Sequence, residues 1–152
     1  MSKLLDLVTY VQDTIMQNRF ALWVQDGDWF TKHPSACCDK ASEILKRFLE
    51  ANNTTDYFFI RKEGSIDWIS YSHVWIESNK LSIDITAHQF NDWRYGVFFD
   101  YIIICKTEDY FFNKQNGEYF KYDPFIFETP CIGYFDYEKF YQTFFRKIKV
   151  QS

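Results

Sequence analysis

The chain has 152 residues, enough for one domain with a real core, and a formal net charge of −4. Hydrophobic residues make up 47% and charged residues 25%, which excludes a disordered chain; the acidic balance excludes the basic footprint of a nucleic-acid-binding surface. Aromatic residues reach 22% while Gly (5) and Pro (3) are scarce, so the core is expected to be built of large rings with few long loops.

Leu4, Leu5, Val8, Val11 and Ile15 recur at helical spacing behind Ser2, a good cap, and predict an amphipathic helix over 3–17. Residues 18–36 carry Trp23, Gln25, an Asp26-Gly27 turn, Trp29 and Pro34, and read as an irregular approach to the next helix. That helix is predicted over 38–51, because Ala41, Ile44, Leu45, Phe48 and Leu49 keep to one face. Ser35 can cap it, Asp39 and Glu43 suit its first turns, and Asn52-Asn53 ends it.

Strand signals follow over 57–62, 67–77 and 80–86, with a turn at Glu63-Gly64. Residues 98–105 form a continuous apolar run typical of a buried strand. Residues 110–114 and 118–122 flank Asn116-Gly117, a strong hairpin signal. Asp136 can cap a last helix in which Tyr137, Phe140, Tyr141, Phe144, Phe145 and Ile148 share a face. Helices, then strands joined by tight turns, then a helix predict an α+β fold rather than a doubly wound sheet, in a single domain over 1–152.

The register of one hairpin carries a chemical consequence. If Glu77 faces Lys80 across a Ser78-Asn79 turn, His73 stands opposite Asp84 and Trp75 opposite Ser82, all on one face. Val74, Ile76, Leu81 and Ile83 then share the other face. A carboxylate beside an imidazole fixes its tautomer and stabilises the imidazolium. The imidazole can then activate a thiol, and Cys37-Cys38 opens the second helix, where free N–H groups and the helix dipole favour a thiolate.

These residues resemble a family. Ala36-Cys37-Cys38-Asp39-Lys40-Ala41-Ser42 is similar to the nucleophile motif Gly-x-Cys-Gly-(Asp/Glu)-x-(Ala/Ser) of transglutaminase-like cysteine enzymes, a branch of the papain-like fold. His73-x-Trp75-x-Glu77 resembles their histidine strand, Asp84-Ile85-Thr86 the segment after it, and Gln89-Phe90 a continuation found in bacterial relatives. Ala36 and Asp39 stand where that pattern has glycines. The resemblance covers residues 34–90 and implies helices packed on an antiparallel sheet, with Cys38 as nucleophile, His73 as base and Asp84 as orienter. It implies hydrolysis of an amide through a thioester, by a peptidase or a glutamine deamidase acting on protein or peptide. Alternatives are a transamidase or acyltransferase, or a non-catalytic interaction domain that keeps the fold.

Helical phase does not separate the two adjacent cysteines; the motif spacing favours Cys38, with Cys37 as the alternative nucleophile. The Cys38 N–H is a natural oxyanion donor, and Gln25, Trp23 and Trp75 are candidates for the rest of the hole or the cleft. His33, Cys37, Cys38 and His88 lack the paired spacing of a zinc site, so neither metal nor cofactor is expected. No run approaches the length of a membrane span, and the start lacks the apolar region of a signal peptide. With cysteines at 37, 38, 105 and 131 read as free thiols, the expected compartment is the cytoplasm, or export without a cleavable signal.

Overall fold

The computed structural model describes residues 2–18, 38–91, 95–122, 142 and 145. Two helices, α1 (Ser2–Asn18) and α2 (Cys38–Ala51), precede five strands: β1 (Phe58–Ile66), β2 (Ile69–Glu77), β3 (Leu81–Asp84), β4 (Ile103–Lys106) and β5 (Glu118–Tyr122). The strands form one sheet in the order β4-β3-β2-β1-β5, and every neighbouring pair is antiparallel. The fold is α+β, as the alternation of sequence periods predicts.

Alternation along β2 creates two cores. Val74 and Ile76 face the helices and join Val8, Val11, Ile15, Ile44, Leu45, Phe48 and Leu49. Tyr71 and Trp75 face the other way, into a cluster with Ile60, Phe90, Tyr95, Phe99, Tyr110 and Phe112. The predicted stripe of α2 is the buried one, and the helix ends where foreseen. Asn53 adopts φ 64, the left-handed conformation asparagine tolerates, and Thr54 N–H reaches back to the Leu49 carbonyl at 2.8 Å. On α1 the stripe is rotated from its expected place. Leu7 is buried, whereas Leu5 is 48% exposed because it lies about 100° from Leu4 around the axis.

Several expected elements are corrected. Glu63-Gly64 lies within β1, and the β1–β2 turn sits at Asp67-Trp68, both at positive φ (49 and 70). In the next hairpin Glu77 pairs with Ser82 and Ile76 with Ile83, and Ser78 N–H bonds the Leu81 carbonyl at 2.8 Å. The turn therefore falls at Asn79-Lys80, not Ser78-Asn79. Lys80 N–H and Leu81 N–H both donate to the Ser78 hydroxyl (3.2 and 3.0 Å), which gives that turn its side-chain brace. Glu77 thus does not face Lys80, and the pairing is displaced by two positions. An even displacement leaves every side chain on its foreseen face.

The apolar run 98–105 contributes only β4; Phe98 is 80% and Tyr101 40% exposed. Asn91 explains this, because its side chain takes both backbone groups of Phe99, donating to the carbonyl (2.7 Å) and accepting from the N–H (2.6 Å). Residues 110–114 do not form a hairpin arm. Phe111–Lys114 is a 3-10 turn, and β5 pairs with β1 instead. The chain between β4 and β5 crosses the aromatic face of the sheet, burying Tyr110 and Phe112, while the Lys62 ammonium bonds the Phe112 carbonyl (2.8 Å) and that of Gln115. Gly117 serves as a point of close approach: a Cβ there would meet the Glu63 carbonyl oxygen at 2.5 Å and the Tyr71 hydroxyl at 2.9 Å. The predicted C-terminal helix lies outside the described residues, although Phe145 is buried against Tyr10 and Phe48 (ring centroids 5.8 and 5.4 Å).

Candidate active site

β2 and β3 pair through only two residue pairs, Ile76↔Ile83 and Glu77↔Ser82. Beyond them the two strands are no longer laddered together, and that break lies beside His73 on β2 and Asp84 at the end of β3. His73 is fully buried and Asp84 is 2% exposed. Their side chains meet as the shared face requires: the imidazole Nε2–H donates to Asp84 Oδ2 at 2.6 Å.

Asp84 is saturated with donors. Its Oδ1 accepts from Thr86 N–H (2.8 Å), Ala87 N–H (3.0 Å) and the Thr86 hydroxyl (3.3 Å), in the manner of a residue capping the short helical turn Ala87–Phe90. Its Oδ2 accepts from His73 and from the Tyr110 hydroxyl. Burial alone would raise this carboxyl, but the charge and hydrogen bond of His73, then Tyr110 and the Thr86 N–H, hold it below the ordinary carboxylate range. Burial works against a charged imidazole too. The Asp84 carboxylate outweighs it, the Cys38 side chain adds to the effect, and His73 is raised to about 10. Both shifts favour the charged forms, an imidazolium facing a carboxylate.

Cys38 is the first residue of α2 and packs partly buried against the helix-side core. His73 belongs to the opposite face, among Trp75, Phe90 and Phe112, with ring centroids at 5.9, 5.0 and 5.0 Å. The helix start and the ring therefore belong to opposite faces of the sheet, joined by the α2–β2 packing. One turn into α2, the Ser42 hydroxyl approaches the Val74 carbonyl at 3.4 Å, which sets the helix against β2 beside His73. His73 Nδ1 is buried and has no hydrogen-bond partner among the described residues. Asp84 therefore holds one ring nitrogen and leaves the other without a partner among the described residues.

Trp75 is not placed to line an open cleft. It is fully buried behind the imidazole, and its indole N–H donates to Glu77 Oε1 at 3.2 Å, so it offers no oxyanion donor. Cys37, Gln25, Trp23 and His33 lie outside the described residues. His88 sits over Tyr101 (ring centroids 5.3 Å), and burial lowers its proton affinity. Among the described residues no group of three or more His, Cys, Asp or Glu is placed to hold a metal ion, and no helix is long and apolar enough to cross a membrane.

Three contributors escape sequence reasoning. Tyr110 was hidden in what reads as a hairpin arm, and nothing in the local pattern distinguishes it from its aromatic neighbours. Glu77 is a buried hub, accepting from Ser82 (2.6 Å), Asn113 (2.6 Å) and Tyr119 (2.7 Å) as well as Trp75. Gln12 on α1, fully buried, donates to the carbonyls of Ile85 (2.6 Å) and Tyr101 (2.8 Å) on either side of the Asp84 turn; a lone glutamine on an apolar stripe was the available signal. Comparisons with protein-family models, with curated proteins and with solved structures return no match to this chain.

Proposed function

We propose that the protein is a cysteine-dependent amide hydrolase of the transglutaminase-like, papain-like type, with Cys38 as nucleophile, His73 as base and acid, and Asp84 as orienter. One observation carries the reading: a buried imidazole is bonded to a buried carboxylate through Nε2 and keeps Nδ1 without a hydrogen-bond partner among the described residues, on the strand that the cysteine-led helix packs against. In this reading the resting imidazole carries the proton that the leaving group takes. Attack of the thiolate on an amide carbon builds a tetrahedral oxyanion, for which the Cys38 N–H at the helix start is the natural donor. The proton on His73 passes to the departing nitrogen as the C–N bond breaks, leaving a thioester. Water, deprotonated by the now neutral imidazole, displaces the sulfur and releases the acid. The proposed substrate is a protein or peptide, cleaved at a backbone amide or deamidated at glutamine; an amine in place of water would make the same site a transamidase.

The exposure of two large rings, Trp68 (99%) and Phe98 (80%), favours a second reading, a non-catalytic domain of the same fold that binds a partner protein. Limiting iodoacetamide followed by mass-spectrometric mapping separates the two. The enzyme labels at Cys38 selectively below about pH 8, and His73→Ala removes the selectivity. Slow, equal labelling of all accessible thiols, unchanged by His73→Ala, would sink the enzymatic reading. Ammonia release from glutamine peptides against the appearance of new amino termini then distinguishes deamidase from peptidase.

A further inference from the structure

Asp84 Oδ2 receives two buried donors, and only one of them belongs to the Cys-His-Asp reading. The other is the Tyr110 hydroxyl, carried in by the segment that crosses the aromatic face between β4 and β5. If Tyr110 merely filled space, a phenylalanine would do so without the desolvation of a hydroxyl. Its ring already packs edge-on to Trp75 (5.0 Å) and against Phe112 (5.9 Å). The hydroxyl is spent on the oxygen that also orients the imidazole.

We propose that Tyr110 is a positioning residue for the His73–Asp84 pair: its hydroxyl pins the carboxylate rotamer and so fixes the orientation of the imidazole that donates to it. With Oδ1 held by the Thr86 and Ala87 amides and Oδ2 by Tyr110, the carboxylate has one orientation, and Nε2–H has one place to donate. The phenol is a permanent donor, because burial and the facing Asp84 carboxylate push its own ionisation well above the usual tyrosine range.

Other charged or titratable groups surround the pair on every packed element. Lys62 stands directly across from His73 on β1 but spends its ammonium on backbone carbonyls. Glu77 on β2 is occupied by its own four donors. Cys105 on β4 and His88 after β3 sense the Asp84 charge, and Cys38 on α2 packs against the core on the other face of the sheet. The phenol alone among them shares Oδ2 with the imidazole.

This inference rests on the proposed chemistry for its significance, yet it can be read without it. The probe is the 15N spectrum of the His73 imidazole during an acid titration, in the full chain and in Tyr110→Phe. The expected result is that the acid step, where Asp84 takes a proton and the Nε2 signal responds, moves upward by about one to two pH units, the worth of a charge-assisted hydrogen bond. An acid step that stays in place overturns the proposal, even if the variant is less stable. Should Tyr110→Phe not fold, the unaltered protein decides. A slowly exchanging, downfield hydroxyl proton that shows a cross-peak to the His73 Nε2–H supports the proposal, and its absence overturns it.

Alkylation of Cys38 supplies the separate check on the chemistry. In Tyr110→Phe it falls severalfold at the pH where the variant's Asp84 takes its proton and stays within about twofold at pH 8. A shifted acid step without selective alkylation in either protein refutes the hydrolase reading and leaves the positioning role standing. Selective alkylation with an unmoved acid step does the reverse.

Discussion

The two faces of the sheet solve the same packing problem with different chemistry. The helix side is mostly hydrocarbon, Val8, Val11, Ile44, Leu45, Leu49, Val74, Ile76 and Ile83, and the polar residues its helices bury are Gln12, Thr14, Ser42 and Lys46. The aromatic side embeds Lys62, His73, Glu77 and Asp84 among rings, and all four are buried. A hydrocarbon face tolerates small changes of shape. Charges among rings depend on the partners that satisfy them, so the second face is intolerant at its paired polar positions and fixes geometry rather than merely volume.

That contrast can be broken first at Asp84. Asp84→Ala strands five donors in a buried site and is expected to cost about 3–5 kcal/mol in urea unfolding; a loss below about 1 kcal/mol would mean the polar network is slack. Its pH dependence sharpens the point. His73 is raised to about 10 from 6.5, so its share of stability is complete below pH 6.5 and is lost as pH climbs through 10. Asp84 is lowered from 3.8, so its share is complete above pH 3.8 and is lost as pH falls through the lower value. The advantage of the unaltered protein over Asp84→Asn should therefore peak between those two ordinary values, 3.8 and 6.5, in denaturation curves taken across pH.

Smaller effects are expected away from the charges. Gly117→Ala drives a methyl into the Glu63 carbonyl and the Tyr71 hydroxyl and should lose about 1–3 kcal/mol, by loosening β5 from β1. Ile44→Val on the hydrocarbon face should lose about 0.5–1.5 kcal/mol, and a larger loss would erase the difference between the faces. Trp68→Gly should gain about 0.5–1 kcal/mol in thermal unfolding, since the ring packs on almost nothing and its backbone sits at φ 70.

The sequence made some of this legible and hid the rest for physical reasons. The α2 stripe was plain because five apolar residues at helical spacing admit one buried face. The meeting of His73 and Asp84 was also legible, although the reason given for it was inexact. The Glu77–Lys80 pair that suggested the register does not form, and the side chains still share a face because strand periodicity forgives a shift of two. Asn116-Gly117 misled because a strong local turn signal yields to tertiary contacts, here Lys62 on the carbonyls of the crossing segment. Tyr110 and Glu77 were hidden because their partners lie on other strands and turns, and no short-range pattern encodes such a network.

The passage of the chain from the β4 margin to the β5 margin has a kinetic consequence. Lys62 and the Phe112 carbonyl it holds are 50 residues apart, so the loop they close is costly early and rewarded late. The β1–β2 ribbon and α2 rely on nearer neighbours and are positioned to nucleate first. The phenol then reaches the carboxylate only when the belt across the rings locks down, and refolding should restore bulk secondary structure before it restores the Tyr110–Asp84 hydrogen bond.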